Sequence, residues 1–169
     1  MTFELKTLSP EAVPRALAKA ERYRLLNEPG EAESICLDAL EVEPDNNEAI
    51  VMLLLALSDQ FSEDIPSAFG DALQLAKRLG DPYEQAYYSG IIWERRAKAQ
   101  LHRGTIGLGP QVYEYLREAM SCYERAEAVR PPGNDDSLLR WNTCARLIMR
   151  DQRLVPTAAD ARGEPLFLE

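Results

Sequence analysis

Two stretches of this chain share one spacing, and that spacing limits what the chain can fold into. Ala32, Cys36, Ala39 and Pro44 are separated by 4, 3 and 5 positions, and Ala119, Tyr123, Ala126 and Pro131 repeat those intervals. Residues three and four apart share one face of a helix. Small alanines there let a neighbouring helix come close, the larger residue between them fills the gap, and the proline ends the helix. A repeat of this kind points to stacked helical units, each burying its apolar face on the next.

Prolines, glycines and capping residues mark out about seven helices. The pattern predicts helices over residues 14–26 and 31–43, the second with Ala32, Ile35, Cys36, Ala39 and Leu40 on one face. A third, capped by Asn47 or its neighbour, runs to about Gln60. Its residues 50–57 are apolar on every side, so it belongs between neighbours. A fourth covers 67–79 and stops at Gly80, and Asp81-Pro82 opens a fifth that reaches about Arg103. After a glycine-rich loop over 104–110, a sixth spans 111–130. Pro131-Pro132-Gly133 breaks it, and Asn134 or Asp135 caps a seventh to Arg150. No segment alternates with period two, so no sheet is expected.

The repeated spacing resembles the second half of the tetratricopeptide motif, A-x3-F…P, with cysteine or tyrosine at the large position. The first half, W-x2-L-G-x2-Y, falls on Ala16, Lys19, Ala20 and Tyr23, and on Ala86, Ser89, Gly90 and Trp93; the small residue and the final aromatic match. The resemblance implies an all-α fold, a right-handed helical-repeat solenoid of antiparallel helix pairs closed by a C-terminal capping helix. Within a helical domain over 1–151, the pairs would be 13–46, 47–81 and 82–133, the cap 134–150, and 152–169 a tail. Ala32 and Ala119 stand 87 positions apart, about 19 more than two units of roughly 34 residues. The extra residues are expected near 61–66 and in the long fifth helix with its loop.

Charge and cysteine usage exclude several functions. The net charge is -9, which opposes a nucleic-acid partner, because phosphate binding needs a basic face. Residues 1–50 hold 11 acids and 5 bases, while 101–150 hold 6 and 7, so a basic partner would be drawn to the N-terminal half. The longest apolar run, 49–57, is too short to cross a bilayer, and residues 1–10 lack the basic start and apolar run of a secretory signal. Cys36, Cys122 and Cys144 are an odd, widely spaced set on apolar helical stripes, which reads as three buried free thiols in a reducing cytoplasm. No metal or cofactor motif occurs. The glycines between 104 and 109 have the wrong order for a phosphate loop, and no lysine follows them. His102, the single histidine, reads as a solvated side chain or a helix-end cation.

Members of the tetratricopeptide family bind peptides on a concave face lined by first helices. On this chain the resemblance puts Leu17, Glu21 and Arg24 there, then Val51, Leu55 and Asp59, then Tyr87, Ile91, Glu94 and Arg95, and last Leu138, Asn142 and Arg146. Tyr87, Ile91 and Arg95 lie in a row at i, i+4 spacing. The candidate groove residues are Tyr87, Ile91, Glu94, Arg95, Asn142 and Arg146. Arginine and asparagine there suit a partner's carboxylate or backbone, and tyrosine an apolar side chain. The bland alternative is that Arg95 and Arg96 only pair with acids between helices. The expected function is non-catalytic binding of a protein or peptide, with no cofactor, metal, nucleic acid or membrane. The alternatives are self-association as a homodimer or assembly subunit and, third, a small-molecule or enzymatic pocket near 104–110. Trp93 and Trp141 read as core. The tail carries Leu166 and Phe167, and two readings stand: a mobile tail, or one whose Leu166 and Phe167 dock on an apolar patch of this chain or of a neighbour.

Overall fold

Local start and stop signals account for the helix boundaries. In the computed structural model, which describes residues 2–63, 65, 67–104 and 107–154, seven α-helices follow one another and no strand occurs among the described residues. They are α1 (Val13–Leu25), α2 (Pro29–Val42), α3 (Asn47–Asp59), α4 (Ala68–Arg78), α5 (Pro82–Arg103), α6 (Gly109–Ala128) and α7 (Asp136–Arg150). Asn46 caps α3, its side chain accepting the Ala49 N–H at 2.9 Å, and Asp81 caps α5 by accepting the Tyr83 N–H at 2.8 Å. Pro29 and Pro82 occupy opening turns, where the missing N–H costs nothing. α2 therefore starts two residues before the 31–43 expected. Gly104 ends α5 in the left-handed region, with φ 64°. The expected insertion near 61–66 begins with a 3-10 turn, Phe61–Glu63.

Each helix packs against the next, and α1, α3 and α5 also pack along one another as a row. α2, α4 and α6 form a second row whose members do not pack closely side by side. α3 touches α1, α2, α4 and α5. That is why eight of its thirteen residues are buried, among them Leu53, Leu54 and Leu57, and why its sequence is apolar all round.

The repeated spacing sits where the helices are closest. Ala32, Cys36 and Ala39 are fully buried in one core, and Ala119, Tyr123 and Ala126 are fully buried at the α5–α6 contact. The Tyr123 ring lies on Gly90 of α5, where an added Cβ would stand 2.5 Å from the ring. Gly90→Ala is therefore expected to lower the melting temperature. Overpacking costs about 1–3 kcal/mol, more than the roughly 1 kcal/mol gained in helix propensity. A melting scan showing a more stable variant would contradict this packing.

Beyond α7 the chain turns back, Leu154 is buried in the second core with Val112, and a Cβ on Gly109 would overlap the Arg153 carbonyl oxygen. Glycine at the start of α6 is what lets the two backbones cross. Residues 155–169, with Leu166 and Phe167, and Thr105 and Ile106 of the loop lie outside the described residues. No helix among the described residues is long and apolar enough to cross a membrane.

Candidate functional site

Adjacent residues of a helix point about 100° apart, so Glu94 and Arg95 of α5 serve different neighbours. Arg95 turns to α3. Its Nη1 donates to the Leu55 carbonyl at 3.1 Å, to Ser58 Oγ at 2.6 Å and to Asp59 Oδ1 at 2.6 Å. The other oxygen of Asp59 accepts from Arg24 Nε of α1 at 2.7 Å. One ion-pair line thus crosses α1, α3 and α5. Burial lowers the Arg95 pKa and Asp59 opposes the shift, while Arg24 and Arg140 are close enough to add to it.

Glu94 turns the other way and is only 1% exposed. A buried carboxylate needs donors on both oxygens. Tyr123 of α6 donates its hydroxyl to Oε2 at 2.6 Å, and Oε1 accepts from Lys98 Nζ at 2.5 Å and from Arg140 Nη1 of α7 at 3.3 Å. Burial, followed by the Glu94 charge and hydrogen bond, pushes the Tyr123 hydroxyl far above the usual tyrosine range. Tyr87 lies beside this cluster, stacked on Tyr83 with centroids 5.6 Å apart and tilted against Tyr123 at 6.0 Å.

The two networks hold four cations, Arg24, Arg95, Lys98 and Arg140, against two carboxylates, Asp59 and Glu94. Lys98 and Arg140 keep 38% and 39% of their side chains in water. A chain of net charge -9 thus carries a local positive surplus along the row of α1, α3 and α5, with α7 beside it.

The six candidate residues divide. Tyr87, Ile91, Glu94 and Arg95 stand together on α5, but Ile91 and Glu94 are core residues, shut away from any open groove by α6 and α7. Asn142 and Arg146 are exposed and do not join them. Asn142 shares a shallow hollow with Glu124, Glu127, Leu138 and Trp141, between α6 and α7. The α7 residue that reaches Glu94 is Arg140, because Ser137 and Cys144 are the buried residues of that helix and fix its rotation. Of the other first-helix positions, Leu17 is core, whereas Arg24 and Asp59 belong to the ion-pair line. Lys98 was findable in the sequence as the i+4 partner of Glu94. Arg140 and the Tyr123 hydroxyl carried no such local signal. Arg96 lies over the Phe69 ring, 5.4 Å from its centroid, and is in no ion pair among the described residues.

The remaining groups with chemical potential are packed or solvated. Trp93 packs edge-on against Phe69 at 4.8 Å, and Trp141 donates its indole N–H to Glu124 at 2.9 Å. All three cysteines are free and buried, and burial pushes Cys36 and Cys144 up to about 12. His102 is exposed, its Nδ1 2.8 Å from the Lys98 carbonyl oxygen. The described residues contain no group of three or more metal-type ligands. A small cavity of ≈ 290 Å³ lies beside the 104–110 loop, bounded mainly by glycine, leucine, Val112 and Pro110, with Gln100 and Arg153 at its edge. Comparison with protein-family models, curated proteins and solved structures finds no match for this chain.

Proposed function

We propose that this chain is a non-catalytic interaction module of tetratricopeptide-like build, holding a peptide or protein segment along the face made by α1, α3 and α5. The observation that carries the reading is the half-exposed surplus of cations on that face and on α7 beside it, in an otherwise acidic protein. Intramolecular pairing neutralises two of the four charges and leaves two for a partner's carboxylates or backbone carbonyls. The repeated alanine and proline spacing supports the helical-repeat build, and the Tyr83–Tyr87 stack offers an apolar flank for a side chain.

Affinity capture with the full chain, followed by cross-linking and mass spectrometry, identifies the partner and the face it occupies. Against that partner, Lys98→Ala and Arg140→Ala are each expected to lower affinity by roughly tenfold, more at low salt than at high, with the helical circular-dichroism signal unchanged. A partner that binds both variants as tightly as the parent protein moves the site off this face.

A further inference from the structure

The opposite side of the molecule bears two neighbouring troughs of opposite charge. Because α2, α4 and α6 do not pack closely side by side, each gap between them is floored by the inner row. The α2–α4 trough, ≈ 460 Å³, is floored by Leu53 and Leu57 and carries Glu33, Glu41 and Asp71 with Arg78. Arg78 is occupied at its own end, donating to the Pro44 carbonyl at 2.6 Å. The α4–α6 trough, ≈ 580 Å³, is floored by Trp93 and Ala86 and walled by Leu73 and Val129, and among the described residues its charged side chains are Lys77 and Arg125. Gln74 of α4 lines both troughs, so α4 is the ridge between them.

Neither cation is neutralised by a described residue. Among the described residues Lys77 meets no carboxylate within ion-pair distance, and the Arg125 guanidinium meets only the Cys122 sulfur, at 3.1 Å. Glu41 and Asp71 likewise have no cation of their own there. One trough therefore has a balance of -2 and the other of +2, on apolar floors. A large apolar side chain stands out beside each: Leu37 and Val129 are both 53% exposed.

We infer that this side is a self-complementary surface that pairs with a second copy of the chain about a two-fold axis running along α4. A two-fold contact requires one patch to complement itself. An in-plane axis along α4 lays the acidic trough of each copy over the basic trough of the other, twice over. An in-plane axis across α4 would set acid on acid and base on base, so charge selects the first arrangement. This side is distinct from the α1–α3–α5 face, so the inference stands or falls independently of the peptide-binding reading.

Analytical ultracentrifugation of the full chain from micromolar to near-millimolar concentration tests it. The parent protein is expected to dimerise in that range, and more weakly at high salt. Two paired substitutions make the test specific. Lys77→Glu with Arg125→Glu leaves both troughs acidic, and Glu41→Lys with Asp71→Lys turns the acidic trough basic. Each double variant alone is expected to be monomeric, with dissociation raised on the order of tenfold or more, while an equimolar mixture of the two regains the dimer. Circular dichroism checks that both fold, and Val129→Glu, at an exposed position, should also disperse the dimer if either pair fails to fold. A parent protein that stays monomeric throughout, or a dimer that survives these substitutions singly, or a mixture that does not associate, overturns the inference.

Discussion

Raising the pH from 9.0 towards 12 is expected to unfold the protein. Burial lifts Cys36 and Cys144 from 9.0 to about 12 and raises Cys122 in the same direction. A group whose folded pKa lies above its unfolded value binds its proton more tightly when folded. The resulting stability is complete below the unfolded value and is lost as pH climbs towards the folded one. Each such thiol removes about 1.4 kcal/mol per pH unit inside that window. Two of them remove about 8 kcal/mol across the window, comparable to a total stability on the order of 5–15 kcal/mol. Tyr123, Tyr83 and Tyr88 are also raised above 10.0, chiefly by burial, and add to the loss at the upper end. Denaturant melts at successive pH values measure the slope, and Cys36→Ala with Cys144→Ala should flatten it between 9.0 and about 12. A stability that is level across that range would contradict the burial of the thiols. The same burial predicts that a thiol reagent modifies the cysteines only as the protein opens.

Removing the Tyr123 side chain is expected to have the largest effect of any single substitution described here. Tyr123→Ala leaves a cavity under Gly90, costing about 3–5 kcal/mol by analogy with other buried aromatics. It also takes the hydroxyl away from Glu94 Oε2, an oxygen of a carboxylate that is 1% exposed. Tyr123→Phe isolates the second part. It keeps the ring on Gly90 and leaves that oxygen short of a donor, for about 1–3 kcal/mol. Equilibrium unfolding of the two variants separates packing from hydrogen bonding. If Tyr123→Phe cost as much as Tyr123→Ala, the ring would contribute nothing and the close α5–α6 contact would be misread.

What could be read from the sequence and what could not divides along the range of the interactions. Helix boundaries depend on groups a few residues apart. Asp81-Pro82, Gly104 and the break at Pro131-Pro132-Gly133 therefore mark the ends of α5 and α6 to within two residues. The spacing of Ala119, Tyr123 and Ala126 likewise announces a buried, closely approached face, because one helical turn is enough to define it. The partners of the charges depend on rotations and separations between helices, which no local pattern encodes. The family resemblance puts Leu138, Asn142 and Arg146 on the concave face. In the folded chain Gly133 takes φ 80° in the intervening turn, and α7 buries Ser137 and Cys144, so Arg140 meets Glu94 instead. The i, i+4 row of Tyr87, Ile91 and Arg95 was visible in the sequence. That Ile91 would be core and Arg95 tied to Asp59, some 36 residues away in the chain, was not. The sequence by itself determined where the helices run and which faces are apolar, because both follow from backbone geometry and short-range sterics. Only the tertiary structure decided which charges neutralise one another and which stay available to a partner, because that depends on which side chains α3, α6 and α7 bring against α5.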